Sequence, residues 1–116
     1  MANPEHLAML KEGKERWNEW RKLNNIFAVD LCDSELNEAD LSGFKLYRAD
    51  FSGAKLFKSN FSEASLMGAI FLNSDLRNAI FYKAILQFTD FSHSNLSGAN
   101  FNSAKSFNTN FSFVNL

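Results

Sequence analysis

The sequence predicts an all-β solenoid with four-sided coils, closed at its N-terminal end by an α-helical cap. Three observations predict it. Leu or Phe recurs at every fifth residue from Leu31 to Leu116, failing once, at Ser106. A small residue stands two places before nearly every one of them. The first 25 residues follow a helical period instead.

The cap comes first in the chain. Asn3 suits an N-cap, Pro4 the first helical position, and Glu5 the positive helix end. One amphipathic helix is expected from about residue 4 to residue 23. Leu7, Leu10, Trp17, Trp20 and Leu23 share its apolar face; Lys11, Lys14, Glu15, Glu19 and Lys22 take the other. Gly13 weakens the middle, and Asn24-Asn25 is expected to stop the helix. A solenoid's first coil exposes strand edges and a disc of core, so it needs a cover. Leu7, Leu10, Trp17 and Trp20 are the expected capping residues. The division is then residues 1–25 as cap and residues 26–116 as β-helix.

A five-residue period fits neither a helix nor a flat strand. Each pentad must therefore contain its own turn. Its large centre and the small residue two before point inward, and three residues face out. Turn formers fill many outward places, as in Ala39-Asp40-Leu41-Ser42-Gly43 and Ala49-Asp50-Phe51-Ser52-Gly53. One pentad cannot bury its own Leu or Phe, but stacked neighbours bury them all.

The centres carry a second period. From residue 46 they alternate Leu and Phe. If four pentads make one coil, residues twenty apart stack. Phe51, Phe71, Phe91 and Phe111 form one ladder, and Phe61, Phe81 and Phe101 the ladder opposite. Leu36, Leu56, Leu76, Leu96 and Leu116 form a third, and Leu46, Leu66 and Leu86 a fourth. The first coil has four Leu centres and carries Phe44 where a small residue belongs, two deviations that can offset in volume. At Ser106 either a small cavity is left or Phe107 turns inward to fill it, and the second is expected.

The motif is a small residue, Asp or Asn, Leu or Phe, and two polar residues. It resembles the pentapeptide-repeat family from about Val29 to Leu116, where seventeen of eighteen centres in register are Leu or Phe. The resemblance implies a right-handed quadrilateral β-helix. At about 4.8 Å per coil, just over four coils make a rod roughly 20 Å long. His6-Leu7-Ala8-Met9-Leu10-Lys11-Glu12-Gly13, with Trp17-Asn18-Glu19-Trp20-Arg21, is similar to the N-terminal leader of many bacterial members.

Composition bounds the function. The formal net charge is −1, which indicates neither a nucleic-acid binder nor a strongly acidic protein. Cys32 is the only cysteine, so a reducing compartment is the simpler expectation. No apolar signal core opens the chain and no stretch is long enough to span a membrane. A cytoplasmic protein with no membrane partner is expected. No catalytic, cofactor or metal site is read from the sequence. His6 and His93 lie far apart, Cys32 has no nearby His in the pattern, and Asp90 and His93 share a turn as surface residues. Gly43, Gly53, Gly68 and Gly98 recur at a turn position rather than in a phosphate loop.

What remains is the outer wall. Met67, Ile70, Leu72, Ile80, Tyr82, Ile85 and Phe88 are all outward and apolar, within one coil. Ile70, Ile80 and Ile85 stand where the motif prefers Asp or Asn. A row of Phe27, Tyr47, Met67 and Phe107, interrupted by Gln87, is expected to stack along the rod. The candidate partner surface is therefore Tyr47, Met67, Ile70, Leu72, Ile80, Tyr82, Ile85, Phe88 and Phe107. The expected function is a non-enzymatic protein-interaction or scaffold module with an unknown protein partner. The family resemblance also implies an alternative, a DNA mimic that binds DNA gyrase, as quinolone-resistance members do. Nine acidic and seven basic side chains over residues 26–116 make a poor imitation of phosphate. A homodimer is expected end to end through residues 107–116, along an edge of Phe111, Phe113, Val114 and Leu116; side-by-side pairing through the apolar girdle competes with it.

Overall fold

In the computed structural model, which describes residues 1–24 and 28–116, the N-terminal segment forms two helices rather than the single one expected. α1 spans Pro4–Lys11 and α2 spans Lys14–Leu23. They break at Gly13, whose φ of +102° lies outside any helix. Asn3 does cap α1: its side-chain oxygen accepts from the Glu5 and His6 amides. The break also moves Leu23 off the apolar face. The inward face of α2 is set by Trp17 and Arg21, and Leu23 lies about 200° round from Arg21, 71% exposed. Asn25, an expected stop, and Phe27, of the aromatic row, lie outside the described residues.

From residue 28 onward the pentads close turns, except at Ser106, where residues 107–108 only bend. The centre's carbonyl accepts from the amide three residues on, as Phe51 does from Ala54 at 2.9 Å. The second residue after each centre takes a left-handed φ near +60 to +70°, whether it is Gly43, Gly53, Lys58 or Phe88. A single positive φ at that place is the geometry of a type II turn. The Asp or Asn before the centre closes the same turn. Its Oδ1 accepts the amide two residues on, as in Asp50 to Ser52 at 2.9 Å and Asn60 to Ser62 at 2.9 Å.

The remaining backbone bonds run between coils. β1 (Val29–Asp30) pairs in parallel with β2 (Ala49–Asp50), and bridges continue from Glu35↔Lys55 to Asn95↔Asn115. The offset is twenty residues throughout, so four pentads make one turn of the coil. Inside, Phe51, Phe71, Phe91 and Phe111 stack with centroids 4.9, 5.0 and 5.4 Å apart. Phe61, Phe81 and Phe101 stack at 5.1 and 4.9 Å. The two ladders meet edge to face, Phe71 against Phe81 at 87°, a favoured aromatic geometry. The small polar residues are satisfied within the wall: the Ser34, Ser59, Ser74 and Ser94 hydroxyls donate to the carbonyls three residues before.

The first coil has no coil beneath it, and the cap supplies side chains where a neighbouring strand would stand. Asn18 acts as a strand does, donating to the Gly43 carbonyl at 3.1 Å and accepting the Lys45 amide at 2.8 Å. Trp17 Nε1 donates to the Lys45 carbonyl at 2.8 Å. Arg21 donates to the Lys45 and Tyr47 carbonyls at 3.3 and 2.9 Å. On another side the Asp30 amide donates to His6 Nδ1 at 3.1 Å. Trp17 and Leu10 are buried, and Leu7 and Trp20 pack partly buried against the core. The oversized Phe44 meets this cap, its ring 6.5 Å from that of Trp17. At the other end the expected inward turn of Phe107 does not occur. Phe107 is 61% exposed, and Ser106 is itself exposed.

Phe81→Ala should cost about 3–5 kcal/mol, because it opens the centre of a ring ladder. Its neighbour Tyr82, which faces out, should change stability by no more than about 0.5 kcal/mol as Tyr82→Ala. Equal losses in urea titration would contradict the assigned faces. Deleting residues 1–24 should expose the first coil and give an associating protein in light scattering. An equally stable monomer after deletion would show that the helices are not a cap.

Candidate functional site

Two adjoining sides of the coil define the site. One carries the centres Leu46, Leu66 and Leu86 (the leucine side), and the next carries Phe51, Phe71 and Phe91 (the phenylalanine side). The turns between them put Tyr47, Arg48, Met67, Gly68, Phe88 and Phe107 on one corner. A groove of about 710 Å³ follows this corner. Tyr47, Met67, Ile70 and Phe88 give it an apolar lining, and Arg48 and Ser65 are its polar members, with Ala28 and Gly68. Met67 is 43% exposed, Ile70 37% and Phe88 57%.

The groove joins parts of both sequence groupings and divides the rest. Ile85 is bridged to Ser65 but lines a separate depression with Glu63, Lys83 and Lys105. The register carries Leu72, Ile80 and Tyr82 onto other sides and corners, so the girdle encircles the rod rather than forming one patch. Among the described residues, Phe107 does not extend the aromatic row along the rod. Phe107 instead turns its edge to Phe88, with centroids 6.0 Å apart. Tyr47 is engaged by the cap, the Arg21 guanidinium lying 3.9 Å from its ring centroid. At the C-terminal edge Phe111 is 39%, Phe113 80% and Leu116 81% exposed, while Val114 is partly buried against the core. Phe113 stacks on His93 at 4.9 Å.

Local structure shows what these apolar residues give up. Ile70, Ile80 and Ile85 replace the residue whose side chain elsewhere closes the turn. They have no oxygen for that bond, so each trades a turn contact for apolar surface. Phe88 occupies the left-handed position at φ +60°, which costs a residue with a Cβ roughly 1–2 kcal/mol.

Sequence reasoning missed Arg21 and Asn18. Arg21 is buried, and its Nε is, among the described residues, a buried side-chain nitrogen without a partner. Burial pulls its pKa down, with Tyr47 opposing. The signal was present: Arg21 lies one helical turn after Trp17 and so shares its face.

Three carboxylates are held by bonds within the walls. Asp30, Asp40 and Asp75 are held below the usual carboxylate range, chiefly by bonds accepted from Cys32, Ser42 and Arg77 respectively. Burial, helped by the Asp30 and Asp50 carboxylates, pushes the Cys32 thiol up to about 12. Among the described residues no group of three or more His, Cys, Asp or Glu is placed to hold a metal ion, and no helix is long and apolar enough to cross a membrane. Because the thiolate is the reactive form, Cys32 should react with a disulfide reagent at pH 8 at least about tenfold more slowly folded than unfolded. Equal rates would mean the thiol is not held protonated.

The family described as pentapeptide repeats matches the sequence in overlapping stretches, residues 25–62, 34–73, 45–81, 59–98 and 84–116. Among solved structures the chain is similar to HetL, a pentapeptide repeat protein involved in heterocyst differentiation regulation in Nostoc sp. strain PCC 7120. The identity is 31% over 65% of this chain and 37% of that one, with a TM-score of 0.61. It is similar to QnrB1, a plasmid-mediated fluoroquinolone resistance protein, at 30% identity over 72% of this chain and 45% of that one, TM-score 0.63. Rfr23 of the cyanobacterium Cyanothece 51142 matches at 25% identity over 68% of this chain and 58% of that one, TM-score 0.50. Each match spans less than two thirds of the other protein's length. No curated protein matches the chain.

Proposed function

The chain belongs to the pentapeptide-repeat family, a right-handed quadrilateral β-helix here preceded by two helices, and from that premise we propose that it is a non-enzymatic module for binding another protein. The observation that carries this reading is the corner groove. It gathers exposed Met67, Ile70 and Phe88 on a rigid wall, and contiguous exposed apolar surface marks partner sites. Its lining has no His, Cys, Asp or Glu among the described residues, so the lining itself offers the Ser65 hydroxyl no such base. A rod of stacked coils also lacks hinges, which suits presentation of a surface more than closure over a substrate. The single cysteine fits a cytoplasmic setting.

The likeness to QnrB1 supports a second reading, interference with a DNA-binding enzyme such as gyrase. It is the weaker one. Residues 26–116 carry nine carboxylates against seven cations, and Lys55 and Arg77 lie against Glu35 and Asp75 at 3.5 and 2.7 Å. That wall does not offer the unbroken negative field of a nucleic-acid backbone.

Phe88→Gly tests the proposal with the fold intact, because glycine suits the positive φ. Its melting temperature should equal or exceed the parent's. Used as bait in lysate of the source organism, the parent should retain a protein that Phe88→Gly and Met67→Lys both lose. If all three retain the same proteins, the groove is not a binding surface. Protection of gyrase-catalysed supercoiling from a quinolone by the purified protein would favour the second reading instead.

A further inference from the structure

We infer that Arg21 is a positioning residue for the corner groove, holding Tyr47 in place so that the groove is complete only while the cap is docked. The inference concerns control of that site and rests on the protein-binding reading. Arg21 stands on α2 and is 2% exposed. Its guanidinium donates to the Lys45 carbonyl at 3.3 Å and to the Tyr47 carbonyl at 2.9 Å. It also lies 3.9 Å from the Tyr47 ring centroid. Tyr47 belongs to the first coil and lines the groove.

Covering the first coil does not call for a cation there. The Lys45 carbonyl already accepts from Trp17 Nε1 at 2.8 Å, and Asn18 serves the Gly43 carbonyl and the Lys45 amide. Carbonyls receive Arg21, and its Nε is buried without a partner among the described residues. An apolar side chain of similar length would seal the same space without desolvating a charge, and replacements of buried ions by apolar groups are often neutral or stabilising. What the guanidinium adds is its hold on Tyr47. It bonds the carbonyl and lies against the ring at once, a combination open to a flat fork of donors and closed to an ammonium.

Elsewhere on the corner the coil supplies that hold. The Met67, Gln87 and Phe107 carbonyls accept the amides nineteen residues before them, those of Arg48, Gly68 and Phe88, each at 2.9 Å. At the same place in the first coil, a cap side chain donates to the Tyr47 carbonyl. The groove thus has an upper wall of Met67, Ile70 and Phe88, set by stacking, and a lower wall at Tyr47, set by the cap. A cap that lifts away takes the guanidinium off the Tyr47 ring and leaves that wall free to turn. Docking of the cap and binding in the groove then favour each other, because coupling between two sites is reciprocal.

Tyr47 and Tyr82 are the only two tyrosines. Incorporated 3-fluorotyrosine therefore gives two fluorine resonances, which Tyr82→Phe assigns. Arg21→Met should keep the parent's circular dichroism and melt within about 5 °C of it. It should move the Tyr47 resonance and leave that of Tyr82 in place. The binding probe is the protein that the parent retains from lysate and Phe88→Gly loses, and Arg21→Met should lose it too. If Arg21→Met does not fold, Arg21→Gln carries the same measurements, since it keeps an amide for the Tyr47 carbonyl but no cation for the ring. An unmoved Tyr47 resonance would overturn the inference, as would full retention of the probe after the resonance has moved. Loss of the probe only together with a collapse in melting temperature would make Arg21 a stabilising residue of the cap and overturn it likewise. Each of these leaves the protein-binding reading standing. A parent that retains no Phe88-dependent protein ends that reading and its control by Arg21 together.

Discussion

The structure depends on the rule that a coil finds its hydrogen-bond partners in other coils. Apart from its turn bond, each pentad donates to and accepts from the coils twenty residues away, one residue to either side of register, as Leu31 does with Asp50 and Lys55 does with Ser34. No coil is stable by itself, and each becomes stable only when stacked. This rule makes like stack on like through the middle of the rod, where a leucine above Phe71 would leave a cavity; the first coil departs from it, with Leu31 and Leu41 in the columns of Phe51 and Phe61 and Phe44 turned toward the cap. It also makes the ends the expensive places. At the first coil, Asn18, Trp17 and Arg21 reproduce with side chains the bonds a preceding strand would have made. Arg21 is a costly choice, since a buried guanidinium must be neutralised by dipoles alone when carbonyls, and not a carboxylate, receive it. Cation–π contact with Tyr47 offsets part of that cost.

The interior was legible because its code has almost no degeneracy. A centre at every fifth residue, with Leu and Phe alternating, leaves one way to stack the rings, and the ladders of Phe51 and Phe61 form as the periods require. The left-handed turn position was legible only where glycine occupied it. Lys58 and Phe88 adopt the same φ because the coil compels them, and nothing local to those residues announces it. The cap was half legible. Helical periodicity located Trp17 and Leu10, but treating Gly13 as a weak point rather than a break carried the phase of α1 into α2 and mis-set Leu23. Phe107 was misread for a different reason: its ring meets the Phe88 ring on the corner, a contact that the five-residue period does not show.

The site was legible as a composition and not as a shape. Outward apolar residues can be counted from the register, but which of them share a corner depends on where each turn points. Tyr82 and Phe88 are six residues apart and stand at successive corners, whereas Tyr47 and Met67 are twenty apart and adjacent. Local signals and the global fold agree nearly everywhere in this chain. They disagree where Ile takes the turn-closing place and Phe the left-handed one, and departures of this kind are expected to concentrate at functional surfaces.

A solenoid wall also constrains what can bind it. Each coil contributes one residue to each column, at the strand spacing, so the surface is a lattice with a fixed vertical period. An ordinary globular partner meets that lattice at a few points and must build its complement residue by residue. An extended strand laid along the rod rises about 3.3 Å per residue and falls out of step after one or two coils. A second solenoid of the same kind stays in step along the whole rod. The register that lets rings stack inside the core is therefore also the period that any surface lying along the wall has to match.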